Sequence, residues 1–130
     1  MIAKRHDPQP VQDPYHGIFS YGVETRPNTR MLHISGQVGL SPEGHLAMDF
    51  RGQCEQALRN VEAVLQSAGM EFGNIIKMNF YLTRPEDMTE LVEVRKELLD
   101  GVRPAITTLF VKGLVSPDWL IEVEAVAAAE

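Results

Sequence analysis

The spacing of hydrophobic positions changes along the chain, and each change predicts an element. Between positions 53 and 69, Cys54, Ala57, Leu58, Val61, Val64, Leu65 and Ala68 recur every three or four residues, the repeat of an amphipathic helix. Glu55, Arg59, Glu62 and Gln66 take its other side, and Gly69 offers the left-handed conformation that ends helices. From 74 to 82 the period drops to two, with Ile76, Met78, Phe80 and Leu82 on one face and Lys77, Asn79 and Tyr81 on the other, as in a half-buried strand. Thr83-Arg84-Pro85-Glu86 then has the spacing of a capping box. It predicts a second helix with an apolar stripe of Met88, Leu91, Val92, Leu98 and Leu99, into which Arg95 puts its aliphatic stem.

Shorter runs predict the remaining strands. Residues 18–23 and 30–37 are candidates joined by the polar ETRPN, and SPEGH makes the next turn. Pro104 fixes its own φ and biases Arg103 away from helical geometry, so Arg103 ends a linker and a strand spans 105–111. After the turn-rich KGLVSPDW, the last strand covers 120–127. Its Ile121, Val123, Ala125 and Ala127 make a core face, and Glu122, Glu124 and Val126 point the other way, toward the surface expected to hold Lys77, Asn79 and Tyr81. Residues 1–17, with three prolines and little periodicity, read as an arm ending in the turn DPYHG.

Helices placed between strands imply the α+β class: a two-layer α/β sandwich with two helices over one face of a mixed sheet. The uncovered face has two readings, a solvated surface or a half-polar interface where copies of the chain enclose small-molecule clefts.

Composition narrows the function classes. The 130 residues, 44% hydrophobic, suit a single domain over 1–130. A net charge of −6 with scattered cations argues against nucleic-acid binding. No apolar run approaches the roughly 18 to 20 residues of a membrane span, and MIAKRHDPQP turns polar too early for a secretory leader, so a cytoplasmic location without membrane partners is expected. Cys54, on the apolar side of a helix, is expected as a buried thiol.

The chemistry legible from residues alone is sparse. His6, His16, His33 and His45 lack ligand spacing, so no metal site is expected. SGQVG is too short for a phosphate-cradling loop, and Ser35 has no nucleophile elbow around it. Glu122 and Glu124 fit either paired acid–base carboxylates or salt-bridged surface groups.

Taken in order, GIFSYGV, ISGQVG, QALRNVEAVLQSAG, IIKMNFYL, RPAITTLFV and IEVEAVA resemble the Rid proteins, the reactive intermediate deaminase family also called YjgF/YER057c/UK114. The resemblance covers most of the chain after residue 16. It implies a fold similar to chorismate mutase, a homotrimer with clefts at its interfaces, and cofactor-independent hydrolysis of small enamines and imines to 2-keto acids and ammonia. Carried over by position, it makes Glu122 the cleft carboxylate that positions or activates water, and it places Ser35, Gly36 and Gln37 at the cleft border.

The pattern departs where a ligand would be held. The family's proline-alanine-arginine motif, whose arginine binds the substrate carboxylate, reads Pro104-Ala105-Ile106, and isoleucine offers only apolar contact. Phe19 keeps the ring but not the hydroxyl of the family's cleft tyrosine, and Thr108 stands near a position often held by cysteine. Arg103 is expected at a loop end rather than in the cleft. Two functions follow: a divergent hydrolytic deaminase that uses Glu122 to orient water, or a homotrimer that binds a small metabolite without turning it over.

Overall fold

In the computed structural model of the chain, which describes residues 3–9 and 17–130, the elements run β1 (Ala3–His6), β2 (Gly22–Thr25), β3 (Arg30–Val38), α1 (Phe50–Ser67), β4 (Ile75–Leu82), α2 (Met88–Leu98), β5 (Ala105–Phe110) and β6 (Ile121–Ala129). β3, β6, β4 and β5 form a mixed sheet in that order: β6 is antiparallel to both neighbours and β4 is parallel to β5. Both helices pack on one face, the expected two-layer α+β arrangement. Among the described residues no helix is long and apolar enough to cross a membrane.

The core lies between the layers. Met78, Phe80 and Leu82 of β4, together with Ile121, Val123, Ala125 and Ala127 of β6, meet Cys54, Ala57, Leu58, Val61 and Leu65 of α1 and Leu91 and Val94 of α2. Each large apolar side chain buried there contributes about 1.5–3 kcal/mol. Asp49 caps α1, its side chain accepting from Gly52 N at 3.1 Å, and Gly69 follows the helix at φ +69°. Gln53, fully inside, donates from Nε2 to the carbonyls of Ala47 and Asp118, while its Oε1 accepts from Leu120 N at 2.8 Å. It ties the entrance of β6 to α1, and Glu122 follows two residues later.

Several expectations are corrected. Within the expected arm, Ala3–His6 is a strand: it pairs antiparallel with β2, His6 reaching Glu24 at 2.8 Å. Of the DPYHG turn, residues 13–16 lie outside the described residues, as does His16. The first predicted strand begins late, at Gly22, because residues 18–20 run beside β5 with a single bridge from Ser20 to Ala105. A register shift between Ile75 and Lys77 buries Ile75 in place of Ile76. The capping box does not form: Asp87 is instead held by Arg84 through two hydrogen bonds of 2.8 and 2.9 Å, a fork that fixes a 3-10 turn ahead of α2. On α2, Val94 is core where Val92 was expected, and Arg95 buries its guanidinium as well as its stem.

Cys54 has no exposed surface, and burial pushes its thiol up to about 12 from 9.0. Between those values the unfolded chain loses the thiol proton and the native chain keeps it, so Cys54 makes stability fall as pH rises through that window. Denaturation of the parent and Cys54→Ala at pH 8 to 11 should show a steeper loss in the parent, by at most about 1.4 kcal/mol per pH unit. Thiol labelling in native buffer should proceed only at the rate of global opening.

Candidate functional site

The uncovered sheet face carries a carboxylate pair whose members differ. Glu124 lies opposite Asn79 in the register, and its two oxygens accept from Asn79 Nδ2 and Tyr81 OH at 3.2 Å each. Burial first, and the Glu124 charge second, raise the Tyr81 pKa above its ordinary value. Lys77 is turned to Thr107, its Nζ 3.0 Å from the hydroxyl. Glu122 lies opposite Tyr81 on one side and Val38 on the other. Among the described residues it accepts no hydrogen bond, and neither glutamate is in an ion pair.

A bulge in β3 makes room for that carboxylate. Ile34 pairs with Ala125 and Gln37 with Val123, so Ser35 and Gly36 together face the space opposite Glu124. A Cβ on Gly36 would stand 2.4 Å from Oε2 of Glu122 and 2.8 Å from its Cδ, so the Glu122 side chain lies across a position where only hydrogen fits. Ser35 is exposed beside it. Gln37 falls opposite core-facing Val123, and its amide turns back to Ser35 O at 3.1 Å. The bulge thus brings Gly36 to Glu122 and directs Gln37 away.

The other residues singled out from the sequence lie across the sheet. Ile106 and Thr108 pair with Met78 and Phe80, which puts them on the helix-covered side, while Thr107 and Leu109 pair with Asn79 and Tyr81 on the open side. Ile106 and Thr108, with Ile18, Phe19, Met88, Val92 and Arg95, line a cavity of about 240 Å³ between β5, α2 and the segment ahead of β2. The Phe19 ring meets Tyr21 edge-on, with centroids 5.4 Å apart.

That segment is held mainly through its backbone. Ser20 N donates to Pro104 O at 2.9 Å, and Arg103 donates to Phe19 O from two nitrogens at 3.3 and 3.2 Å. Arg103 also pairs with Asp7 at 3.1 Å, and Asp7 accepts from Tyr21 N at 2.8 Å. With its guanidinium occupied in this way, Arg103 fixes Phe19 from outside and does not line the cavity.

Arg95 does line it. The residue is 4% exposed, and its guanidinium carbon sits 5.1 Å from the Phe80 ring centroid. Its one hydrogen bond among the described residues runs from an Nη to Ile18 O at 3.3 Å. Burial lowers its pKa to about 10. The sequence signal for this cation was a charged residue inside an apolar stripe, which side-chain snorkelling also explains. Among the described residues no group of His, Cys, Asp and Glu is placed to hold a metal ion.

Glu122 with Gly36 and Ile106 with Phe19 therefore occupy opposite faces of one sheet, and a single chain does not bring them together.

The sequence profile of the family described as Endoribonuclease L-PSP matches residues 14–129. The mouse 2-iminobutanoate/2-iminopropanoate deaminase is 34% identical over 113 residues, 85% of this chain and 81% of that protein. Among solved structures, the Rid-family protein YyfB of Yersinia pestis, described as of unknown function, aligns with a TM-score of 0.88 at 29% identity over 99% of this chain and 100% of its own. Escherichia coli TdcF with bound serine aligns at 0.74 and 29% identity, over 100% and 98%.

Two glycines separate the site from the scaffold. A Cβ on Gly39 would lie 2.6 Å from Cα and 2.9 Å from the carbonyl oxygen of Gln53, backbone that cannot swing aside, whereas the three atoms nearest a Cβ on Gly36 all belong to the Glu122 side chain. Gly39→Ala should therefore cost about 1–3 kcal/mol in urea denaturation, and Gly36→Ala clearly less while displacing Glu122. Equal losses for the two would contradict this division.

Proposed function

The chain belongs to the Rid, or YjgF/YER057c/UK114, family, and on that premise we propose that it is a hydrolytic deaminase of small imines or enamines, working in clefts between copies of a homotrimer. The observation that carries the reading is Glu122, a carboxylate without a hydrogen-bond partner among the described residues, lying across Gly36 on the open face. Positioned there it can take a proton from water as the water oxygen bonds to the imine carbon and the C=N electron pair moves to nitrogen. Glu122 returns the proton to that nitrogen, and collapse of the carbinolamine, as its hydroxyl loses a proton and forms C=O, breaks the C–N bond, so a 2-imino acid and water give a 2-oxo acid and ammonia, in balance without oxidant or reductant.

Assembly follows from the division of the site. Leu109 is exposed and Val126 half-buried on the same face as Glu122, and that apolar surface would be covered by another copy. Such a copy can set one chain's Glu122 near another chain's β5 edge, where Ile106 and Phe19 line the cavity. Phosphate-backbone binding finds little support on a face where, among the described residues, Glu122 and Glu124 stand against Lys77, which is engaged with Thr107. A second reading, a homotrimer that binds a small metabolite without turnover, is favoured by one observation: an aliphatic side chain stands at position 106.

Sedimentation equilibrium should give three times the chain mass. With 2-iminobutanoate generated in situ, the parent should release 2-oxobutanoate above the spontaneous rate, and Glu122→Gln should lose about 10²–10⁴-fold of that excess. A concentration-independent monomer removes the shared cleft. A parent no faster than buffer, yet binding 2-oxobutanoate saturably, selects the second reading.

A further inference from the structure

We propose that Arg95, from α2 and not from the β5 strand, is the cation that grips the ligand of this cleft: a short 2-oxo or 2-imino acid sits with its carboxylate on the Arg95 guanidinium and its alkyl end against Ile106 and Val92. The inference rests on the small-molecule cleft proposed above and adds the residue that selects an anion for it.

Arg95 is the one charged residue among the seven described residues that line the cavity, and Thr108 adds a hydroxyl within the same wall. A guanidinium has five N–H donors. Among the described residues one of them is used, in a 3.3 Å contact with Ile18 O, and the ring of Phe80 lies against the planar group. No described carboxylate pairs with it, in contrast to Arg103 with Asp7, Arg84 with Asp87 and Arg51 with Glu55. Its place in the last turn of α2 lets the helix dipole offset part of the burial cost, but dipole and ring together leave the forked donors unfilled. A buried cation without a counter-ion costs stability unless an anion joins it, and a carboxylate matches the fork with two parallel hydrogen bonds. At about 240 Å³ the cavity is below the range of drug-sized pockets, which restricts the acid to a few carbons. Ile106 then acts as an apolar wall for its tail.

The location of the cation is testable apart from turnover. Binding of 2-oxobutanoate and of its uncharged methyl ester is measured calorimetrically on the parent, Arg95→Met, Glu122→Gln and the double variant Arg95→Met/Ile106→Arg, with mass and melting temperature checked for each. Arg95→Met should bind the acid about 10- to 100-fold more weakly, the ratio expected from losing charge-assisted hydrogen bonds, and should bind the ester as the parent does. Restoring a guanidinium at position 106 in the double variant should recover at least part of the acid affinity, a rescue that an arginine serving only to pin Ile18 would not give. In the parent, the Arg95 Nε–H resonance should shift in step with acid binding, which tests the proposal even if Arg95→Met fails to fold. Unchanged acid binding in a folded Arg95→Met protein, an Arg95 resonance that ignores bound acid, or a parent that binds no acid at millimolar concentration each overturns it. Glu122→Gln separates the two claims: acid affinity lost in Arg95→Met while turnover is equal in parent and Glu122→Gln keeps the grip and removes the water-activating role.

Discussion

From Lys77 along β4, and along β5 and β6, each step turns a side chain to the other face of one four-stranded sheet, and the rest of the molecule is arranged around that alternation. One set of residues must satisfy α1 and α2, so it is Ile, Val, Phe, Leu, Met and Ala. The intervening set is left to meet water or another chain, and it contains Lys77, Asn79, Tyr81, Glu122 and Glu124. On β5 the same rule turns Ile106 and Thr108 toward the helices and Thr107 and Leu109 away. Glu122 and Ile106, which the strands carry out of phase, are thereby separated by the thickness of the sheet. In the proposed assembly, association of chains would bring the two to one ligand.

Local irregularities refine this pattern. The bulge at Ser35 and Gly36 breaks the β3 alternation and sets a glycine beneath the Glu122 carboxylate, while Glu124, two residues on, is absorbed by Asn79 and Tyr81. Identical side chains on one strand face thus differ in their surroundings: Glu124 is hydrogen-bonded to Asn79 and Tyr81, and Glu122 accepts no hydrogen bond among the described residues. Arg103 and Arg95 diverge in the same manner. Both donate to the backbone of residues 18 and 19, but Arg103 does so from outside with Asp7 as counter-ion, and Arg95 does so from within a cavity.

The layers, both helices and the core face of β6 were legible because period and burial coincide there: Ile121, Val123, Ala125 and Ala127 face the helices as the alternation predicts. Failures came where a long-range partner overrides a local signal. Ala3–His6 has no alternating pattern of its own and becomes a strand by pairing with β2. Thr83 has the composition of a cap, yet Arg84 takes Asp87 through a stronger charged fork. The candidate residues could be named from the sequence but not their geometry, since nothing in the spacing of residues 35 to 37 reveals that a bulge parts Gln37 from Gly36. Arg95 was hidden for a related reason: an arginine in an apolar stripe reads the same whether its head reaches solvent or a cavity.

Position 106 and position 95 are best understood together. A guanidinium on β5 would project from an edge strand, whereas one on α2 is braced by Phe80 behind it and the Ile18 carbonyl beside it, with the residue almost wholly buried. Low surrounding dielectric strengthens its attraction for an anion and also raises the cost of keeping it unpaired. An isoleucine at 106 suits this arrangement better than a second cation would, because two guanidinium groups lining one small cavity would repel each other without ligand. On the proposed reading, β5 supplies the apolar wall of the cavity through Ile106 and α2 supplies its charge through Arg95.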